Sequence, residues 1–373
     1  MDSKTQAHDS EHLSVRDPIR TWLWMVAGLT AAMVVVGGFV RLSRAGLSIV
    51  TWDPVTGVVP PIGTDAWLVE FAKYQQSPEY LLVNSGMTLA EFQRIFMIEW
   101  AHRLIARIAG LMVVIPLVWF MAKQILTFRQ SLRYWGVAAL FGIQAVLGWV
   151  MVSSGLRDRP IVSNARLTMH LLVALATLGI VMWMAMDRSP RNLADSTTAG
   201  VKRSTVVLSW SLLATVVAQI GLGGLVAGMR AGTVSDTWPL MAGRWVPADL
   251  LTEHDPWWIN FIEPVGSHWL HRWVAFLVVG VAVALFLAVR SDNGATERMR
   301  TTTRWLIAVL ALQVGLGISV VVLAVPKWLA LAHQANGMAV FAIAVVICHM
   351  ATRTPTGNQH STTYDIALIA DDR

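Results

Sequence analysis

The sequence predicts an all-α, polytopic membrane protein whose eight transmembrane helices form two parallel-repeat four-helix bundles. Of the 373 residues, 55% are hydrophobic and only 14% are charged, whereas a soluble domain carries about a quarter charged residues. Because unpaired backbone groups are costly in lipid, each apolar window long enough to cross a bilayer is expected to be helical. Eight windows qualify, at about 20–42, 94–122, 132–153, 163–187, 203–228, 266–289, 302–325 and 328–350.

An internal repeat predicts the two bundles. Segment 37–52 matches segment 223–238 at a constant offset of 186, with Gly-Gly, Arg-Ala-Gly and Thr-Trp in both copies. At an offset of 169, three more residues of the first half match three of the second: His102, Gln144 and Gly148 match His271, Gln313 and Gly317. Each half holds an even number of spans, so both halves start on the same side of the membrane and the repeats are parallel.

Loop charges predict the orientation of the helices. Lysine and arginine concentrate in the N-terminal tail and in the connections after the second, fourth and sixth spans, within 123–133, 188–203 and 290–304. This bias places both termini in the cytoplasm. It also accounts for the net charge of +6 without nucleic acid as a partner. The one cysteine, Cys348, excludes an internal disulfide and a cysteine-based metal cluster.

These observations divide the chain into four parts. Residues 1–19 are predicted to be a cytoplasmic tail, and residues 20–190 and 200–351 to be the N-terminal and C-terminal four-helix halves. Residues 352–373 are polar and are predicted to be disordered. The longest connection, 43–93, is rich in Trp and Pro near its start and is expected to form a packed cap over the outer end of the bundle.

The second span carries an unusual group of polar residues. Glu99 and His102 are three apart and would share one face of a helix, and Arg103 follows directly. Ionisable side chains are expensive at membrane depth and usually indicate chemistry or a ligand. This stretch is therefore the leading candidate for a functional site.

Histidines near the outer ends of the even-numbered spans form two candidate pairs. His102 and His170 come from the first half, and His271 and His333 from the second. A planar macrocycle between two helices needs one imidazole from each side, and histidine is a common axial ligand of haem. Taken singly, each histidine is better explained as a hydrogen-bonded core residue, but the repeated pairing favours ligation.

Arg103 and Arg272 follow one histidine of each pair, and a forked guanidinium suits a carboxylate such as a haem propionate. The alternative is that both arginines extend to the membrane interface. Glu-x-x-His also marks di-iron carboxylate proteins, but His268 stands at the repeat position of Glu99, so the second motif is missing. A transporter with duplicated halves would place its polar residues at the midplane, whereas these lie toward one surface.

Five stretches carry a family resemblance: GGFVRLSRAGLS from Gly37, WDPVTGVVPP from Trp52, EWAHR from Glu99, GLVAGMRAG from Gly224 with TWPLM from Thr237, and LAHQA from Leu331. Together they resemble the haem A synthase family in its mitochondrial and proteobacterial branch, over about residues 20–350. Other branches carry a cysteine pair in the first outer loop. This chain has none there, so a thiol is not required for its turnover.

The resemblance implies an enzyme that oxidises the C8 methyl of haem O to a formyl group, giving the haem A of cytochrome oxidases. It implies that His102 and His170 bind the substrate haem in the N-terminal half. His271 and His333 would be the axial ligands of a haem b cofactor in the C-terminal half, and Glu99 would be the catalytic carboxylate.

By the same resemblance, Arg103 would bind the substrate haem, and Arg272 and His268 would contact a propionate or support the ligands. The expected partners are haem O, membrane lipid, a haem O synthase, an electron-transfer protein and a second copy of the chain. The expected location is the bacterial cytoplasmic (inner) membrane, in preference to the mitochondrial inner membrane. A non-catalytic di-haem b-type cytochrome also explains the paired histidines, but not the glutamate beside only one pair.

Overall fold

Eight long helices make up most of the protein. The computed structural model describes residues 17–53, 55–157, 160–189, 200–251 and 257–353. Within these ranges, eight helices are long and apolar enough to cross a membrane, which confirms the all-α, polytopic prediction. They are α1 (Pro18–Leu42), α2 (Leu89–Ala122), α3 (Phe128–Gly155), α4 (Asn164–Asp187), α5 (Arg203–Gly228), α6 (Pro264–Ser291), α7 (Glu297–Val322) and α8 (Lys327–Arg353).

The helices differ from the predicted spans mainly at their ends, because local capping sets those ends and apolar windows do not detect it. Asp17 caps α1 through hydrogen bonds from the first backbone N–H groups, so the helix begins inside the segment predicted as a tail. Thr88 and Glu91 form a capping box that begins α2 upstream of its apolar window. At the other end, α8 continues to Arg353. The remainder of both predicted tails, 1–16 and 354–373, lies outside the described residues.

Each half of the chain closes into a ring of four helices in chain order. In the first half, α1 contacts α2 and α4, and α3 contacts α2 and α4. The second half repeats this pattern, with α5 against α6 and α8, and α7 against α6 and α8. The halves join where α4 contacts α5 and α8, and where α8 contacts α1. Helices of equivalent position therefore have equivalent neighbours.

The tightest packing lies toward the inner end of the bundle, the end where α1 begins and α8 finishes. Trp22 is 1% exposed there and makes edge contacts with Phe120 and Tyr134 at centroid distances of 5.6 and 5.7 Å. Its indole nitrogen donates to the backbone carbonyl of Met112 at 2.7 Å. The predicted ligand histidines lie in the outer half, away from this core, where the interior is less densely filled.

The first outer segment, between α1 and α2, is folded. It contains helices Thr64–Gln75 and Pro78–Leu82. Tyr74 from the first of these helices stacks on Phe92 of α2 with centroids 5.0 Å apart, and both are 0% exposed. Trp67 packs edge-on against Phe96 at 5.1 Å. This second aromatic cluster holds the segment on the outer end of α2, beside Glu99.

Candidate functional site

Each of the four predicted ligand histidines lies against a glycine of the preceding helix in its half. A β-carbon built on any of these glycines would crowd the imidazole, so only glycine leaves the ring in place. The distances from such a β-carbon to the nearest ring atom are 3.4 Å for Gly37 to His102, 3.3 Å for Gly148 to His170, 3.1 Å for Gly223 to His271 and 3.0 Å for Gly317 to His333. All eight helices thus take part, in the pairs α1–α2, α3–α4, α5–α6 and α7–α8.

His271 and His333 face each other from α6 and α8. Their ring centroids are 6.4 Å apart, with the planes inclined at 77°. Two metal–nitrogen bonds of about 2 Å each, together with the two half-rings, span a distance of this size. Nδ1 of each ring is buried and has no hydrogen-bond partner among the described residues. Nε2 of His333 lies 3.3 Å from the amide nitrogen of Gln313.

His102 and His170 occupy the equivalent positions on α2 and α4. They are close enough for their charges to interact. Nδ1 of His170 is buried and has no hydrogen-bond partner among the described residues. The amide of Gln144 donates to the backbone carbonyl of His170 at 2.8 Å, as the amide of Gln219 does to that of His271. Similar contacts therefore position a histidine in each half.

These residues fit a macrocycle held between two imidazoles. The separation of His271 and His333 suits two metal–nitrogen bonds, and a glycine lies beside each of the four rings. A di-iron centre fits less well, because the described residues contain no group of three or more His, Cys, Asp or Glu side chains able to hold a metal ion. The arrangement can hold two haem-like groups, one in each half.

Glu99 is buried beside the first histidine pair, and both of its carboxylate oxygens accept hydrogen bonds. Its side chain is 3% exposed. One carboxylate oxygen accepts from Ser48 Oγ at 2.8 Å and from the backbone N–H of Ile49 at 2.9 Å. The other accepts from Nε and Nη2 of Arg103 at 3.0 and 2.6 Å. Charge-assisted bonds in such number hold the carboxylate in one orientation.

Arg103 also fastens the outer segment to α2. Its Nη2 donates to the carbonyl of Ile49 at 2.9 Å, and its Nη1 to the carbonyl of Thr51 at 3.0 Å. One turn further along α2, Arg107 donates to the carbonyl of Asp53 at 2.8 Å. The arginines therefore place the start of the outer segment directly over Glu99.

The second half repeats the contacts of Arg103 with a different side-chain acceptor, and it has Phe276 at the repeat position of Arg107. Arg272 donates from Nη1 to the carbonyl of Thr237 at 2.8 Å and from Nη2 to that of Ser235 at 3.4 Å. In the repeat, these two carbonyls correspond to those that Arg103 binds. Its Nε donates to Nε2 of His268 at 3.2 Å, where Arg103 donates to Glu99. His268 is 2% exposed and thus replaces a buried carboxylate with a neutral acceptor.

The structure therefore groups the eight predicted site residues into two sets, one in each half, which share their arginine and glycine contacts. Within these sets, the guanidiniums of Arg103 and Arg272 are directed to protein carbonyls and to their own neighbours on the helix. Both side chains bind the outer segments of the protein, whereas a snorkelling arginine would extend to the membrane interface. Four of the five N–H groups of each guanidinium are used in this way, and the expected contact with a propionate stays a prediction.

Sequence reasoning did not identify the four glycines or Ser48 as site residues. A signal for the glycines was present, because Gly37 and Gly223, and likewise Gly148 and Gly317, match at the repeat offsets. The contact of each with a histidine depends on how helices face one another, and spacing along the chain does not contain that information. Ser48 lies inside a motif that carries the family resemblance, but its bond to Glu99 spans 51 residues.

Comparisons with known proteins match nearly the whole chain. The sequence model of a family described as cytochrome oxidase assembly protein matches residues 20–345. A heme A synthase of Rhodopseudomonas palustris is 41% identical over 349 residues, which cover 92% of this chain and 93% of the relative. Heme A synthases of a Bradyrhizobium species and of Brucella ovis are each 40% identical, over 88% of this chain and 90% of the relative.

Proposed function

This chain belongs to the haem A synthase family and converts haem O to haem A, and we propose that its two halves divide the work. In this proposal His102 and His170 hold the substrate haem O in the first half. His271 and His333 hold a haem b in the second. The observation that carries the proposal is the 6.4 Å separation of the His271 and His333 rings, together with the glycine contacts that all four histidines share.

Glu99 is proposed as the catalytic carboxylate because its repeat position in the second half holds the imidazole of His268 in place of a carboxylate. It lies one turn from His102 on the same face of α2 and is held by four hydrogen bonds. In a site of low dielectric, an oriented carboxylate can accept a proton or stabilise positive charge that develops on the substrate. Arg103 positions Glu99 and, through the carbonyls of Ile49 and Thr51, closes the outer segment over it.

The second half is proposed to hold its haem b for electron transfer. When bound, haem b supplies an iron centre that exchanges electrons. The chain's own contribution is to set the ligand separation and to orient each imidazole. The Gln219 amide donates to the backbone carbonyl of His271 at 2.8 Å, and the Gln313 amide nitrogen lies 3.3 Å from Nε2 of His333, so a glutamine of the preceding helix contacts each of the two histidines.

Eight apolar helices and bacterial relatives identify a multi-pass protein of a bacterial membrane. We propose that this membrane is the cytoplasmic one, with both termini in the cytoplasm and the haem sites toward the outer face. Haem O reaches the first half from within the membrane, because its hydrophobic character suits lipid. A haem O synthase as donor, an electron-transfer protein as acceptor and a second copy of this chain are the proposed protein partners.

The decisive experiment is the expression of the chain with and without a haem O source, followed by haem extraction and mass analysis. The wild type is expected to yield haem A only when haem O is supplied. Glu99→Ala is expected to lower the haem A yield by about 10²–10⁴-fold while the protein keeps its haem b spectrum. His271→Ala is expected to remove the haem b spectrum, because one of its two iron ligands is lost.

Two outcomes would contradict these assignments. A normal haem A yield from Glu99→Ala would remove its catalytic role, and an intact haem b spectrum in His271→Ala would remove the cofactor assignment. The alternative of a non-catalytic di-haem cytochrome predicts that no haem A forms under any condition. Nothing in the geometry favours that alternative, since an electron carrier needs no carboxylate beside one of two pairs.

A further inference from the structure

Three arginines gather at the outer ends of α1 and α5 without hydrogen-bond acceptors. Arg41 lies in the last turn of α1, and Arg44 follows its end. Arg230 follows the end of α5 and corresponds to Arg44 in the repeat, and both have left-handed backbones with φ of 51° and 56°. Among the described residues, none accepts a hydrogen bond from any of these three guanidiniums. Positive charges from both halves therefore meet at this end of the protein.

Each of the three arginines interacts electrostatically with another arginine of this group or with one buried carboxylate. Arg230 is near enough to Arg41 to repel its charge. Glu79, on the short helix Pro78–Leu82, has both Arg44 and Arg230 as charged neighbours. Arg41 is half-buried, whereas Arg44 and Arg230 are exposed. Like charges held together cost free energy, most of all where one of them is partly desolvated as Arg41 is, and an anion that joins them offsets this cost.

Glu79 does not neutralise this group. Its side chain is 3% exposed, and its Oε2 atom has no hydrogen-bond partner within the described part of the chain. Burial raises the pKa of Glu79, and the two arginines only partly oppose that rise. No ion pair joins Glu79 to an arginine in the described ranges. The cluster therefore keeps an excess of positive charge, and a buried polar oxygen without a partner lies beside it.

The cluster lies directly outward from the histidines. Arg41 is four residues beyond Gly37, the glycine that contacts His102, and shares its face of α1 about 6 Å further out. Arg230 is seven residues beyond Gly223, the glycine that contacts His271. The free guanidiniums are thus placed where the outer edge of a macrocycle held at either pair would emerge.

We propose that Arg41, Arg44 and Arg230 bind the propionate carboxylates of the haems held by the two histidine pairs. This inference rests on the proposed function and deepens it by assigning the anion-binding part of the haem sites. Arg103 and Arg272 are less suited, because four of the five N–H groups of each guanidinium already bind Glu99 or His268 and the carbonyls of the outer segments. A guanidinium binds a carboxylate through two parallel hydrogen bonds, and three free guanidiniums suit two or more carboxylates.

Haem-binding titrations with a matched ligand pair test the proposal. Haem-depleted full-length protein is titrated with haem b and with its dimethyl ester, which lacks the carboxylate charges, and binding is followed by the haem absorption band. The wild type is expected to bind the free acid at least about tenfold more tightly, the value of one charged hydrogen bond. Arg41→Gln and Arg230→Gln are expected to lose most of that preference. Arg298→Gln, at the inner end, is expected to keep it.

The outcomes separate this proposal from the proposed function. If the ester binds the wild type as tightly as the free acid, or if Arg41→Gln and Arg230→Gln keep the full preference, the arginine assignment is overturned while histidine ligation stands. If His271→Ala binds both forms with an unaltered spectrum, the proposed function fails instead. Arg41→Lys provides a second variant in case the glutamine variants fold poorly, and it is expected to retain part of the preference because it keeps the charge.

Discussion

At the scale of single residues, the two halves differ in what their clamping arginines bind. The two arginines bind equivalent backbone carbonyls but different side chains. Arg103 holds a buried carboxylate, and Arg272 holds an imidazole. The half with Glu99 can stabilise positive charge, whereas the half with His268 cannot do so while the imidazole is neutral. In the proposed function, this replacement at one repeat position distinguishes the substrate site from the cofactor site.

Arg103→Lys tests the positioning role of this arginine. A lysine keeps the charge but cannot donate at once to Glu99 and to the carbonyls of Ile49 and Thr51, because it lacks the planar fork. The haem A yield is expected to fall about 10–100-fold, while the haem b absorption per protein stays unchanged. Extraction and mass analysis of haem provide the measurement. An unchanged yield would show that Glu99 needs no such support.

Gly317→Ala tests the space beside the haem b ligand. The added β-carbon would lie 3.0 Å from Cε1 of His333 and would push the ring from its position. The variant is expected to bind haem b several-fold less tightly, measured by its absorption after purification. Gly315→Ala is the matched control, because it is on the same helix and its β-carbon meets nothing within 4 Å. Equal haem content in both variants would contradict the role of the glycine.

At the scale of elements, Asp292 joins three helices at the inner end of the second half. It follows α6 and is 1% exposed. Its carboxylate accepts from the backbone N–H of Lys202 at 2.9 Å and from Thr205 Oγ1 of α5 at 2.6 Å. Its backbone carbonyl accepts from Arg300 of α7 at 2.7 Å. Burial alone would raise the pKa of Asp292, but these hydrogen bonds, with the one from Gly294, bring it below the ordinary value of 3.8.

Asp292→Asn is therefore expected to lower the free energy of unfolding by about 1–3 kcal/mol at pH 7. Because the folded pKa is depressed, the ionised carboxylate contributes its full stability above the unfolded pKa and loses it as pH falls through the folded value. Thermal unfolding in detergent should show a wild-type advantage at pH 7 that shrinks below about pH 4. Glu297→Gln, at an exposed position, is the control with little effect. An advantage that does not depend on pH would contradict the charge argument.

At the scale of the whole molecule, the halves meet through equivalent joints. Gln334, next to the ligand His333, fills the space beside Gly38 and donates to the carbonyl of Val34 at 2.7 Å. In the repeat, Gly38 corresponds to Gly224, and a β-carbon there would lie 3.0 Å from Oγ1 of Thr168. In each half, a glycine therefore packs against a polar residue of the other half. These joints set the two histidine pairs at a fixed distance from each other.

The orientation in the membrane is a further prediction at this scale. Basic residues concentrate at the inner end, so both termini are expected in the cytoplasm. A fluorescent protein fused after the C-terminus should fluoresce, and alkaline phosphatase fused there should be inactive. The same reporters inserted in the first outer segment, near position 85, should give the opposite results. An active phosphatase at the C-terminus would invert the orientation and place the haem sites toward the cytoplasm.

The sequence by itself determined the eight spans, because the length and apolarity of a segment decide whether it crosses a bilayer. It also determined the family, and the internal repeat predicted the two histidine pairs. These properties can be read along the chain, since they depend on composition, spacing and matching motifs. The helix ends shifted by a few residues because capping side chains such as Asp17 and Thr88 decide them.

Only the tertiary structure decided which groups touch. It directed Arg103 and Arg272 to the outer segments, set a glycine against each histidine, and left Arg41, Arg44 and Arg230 without acceptors in the part of the chain that the structure describes. Such contacts join residues far apart in the chain, as Ser48 and Glu99 are, and they depend on how helices pack and rotate. Spacing assigns a residue to a helix face, but the neighbour that this face meets is chosen by packing in three dimensions.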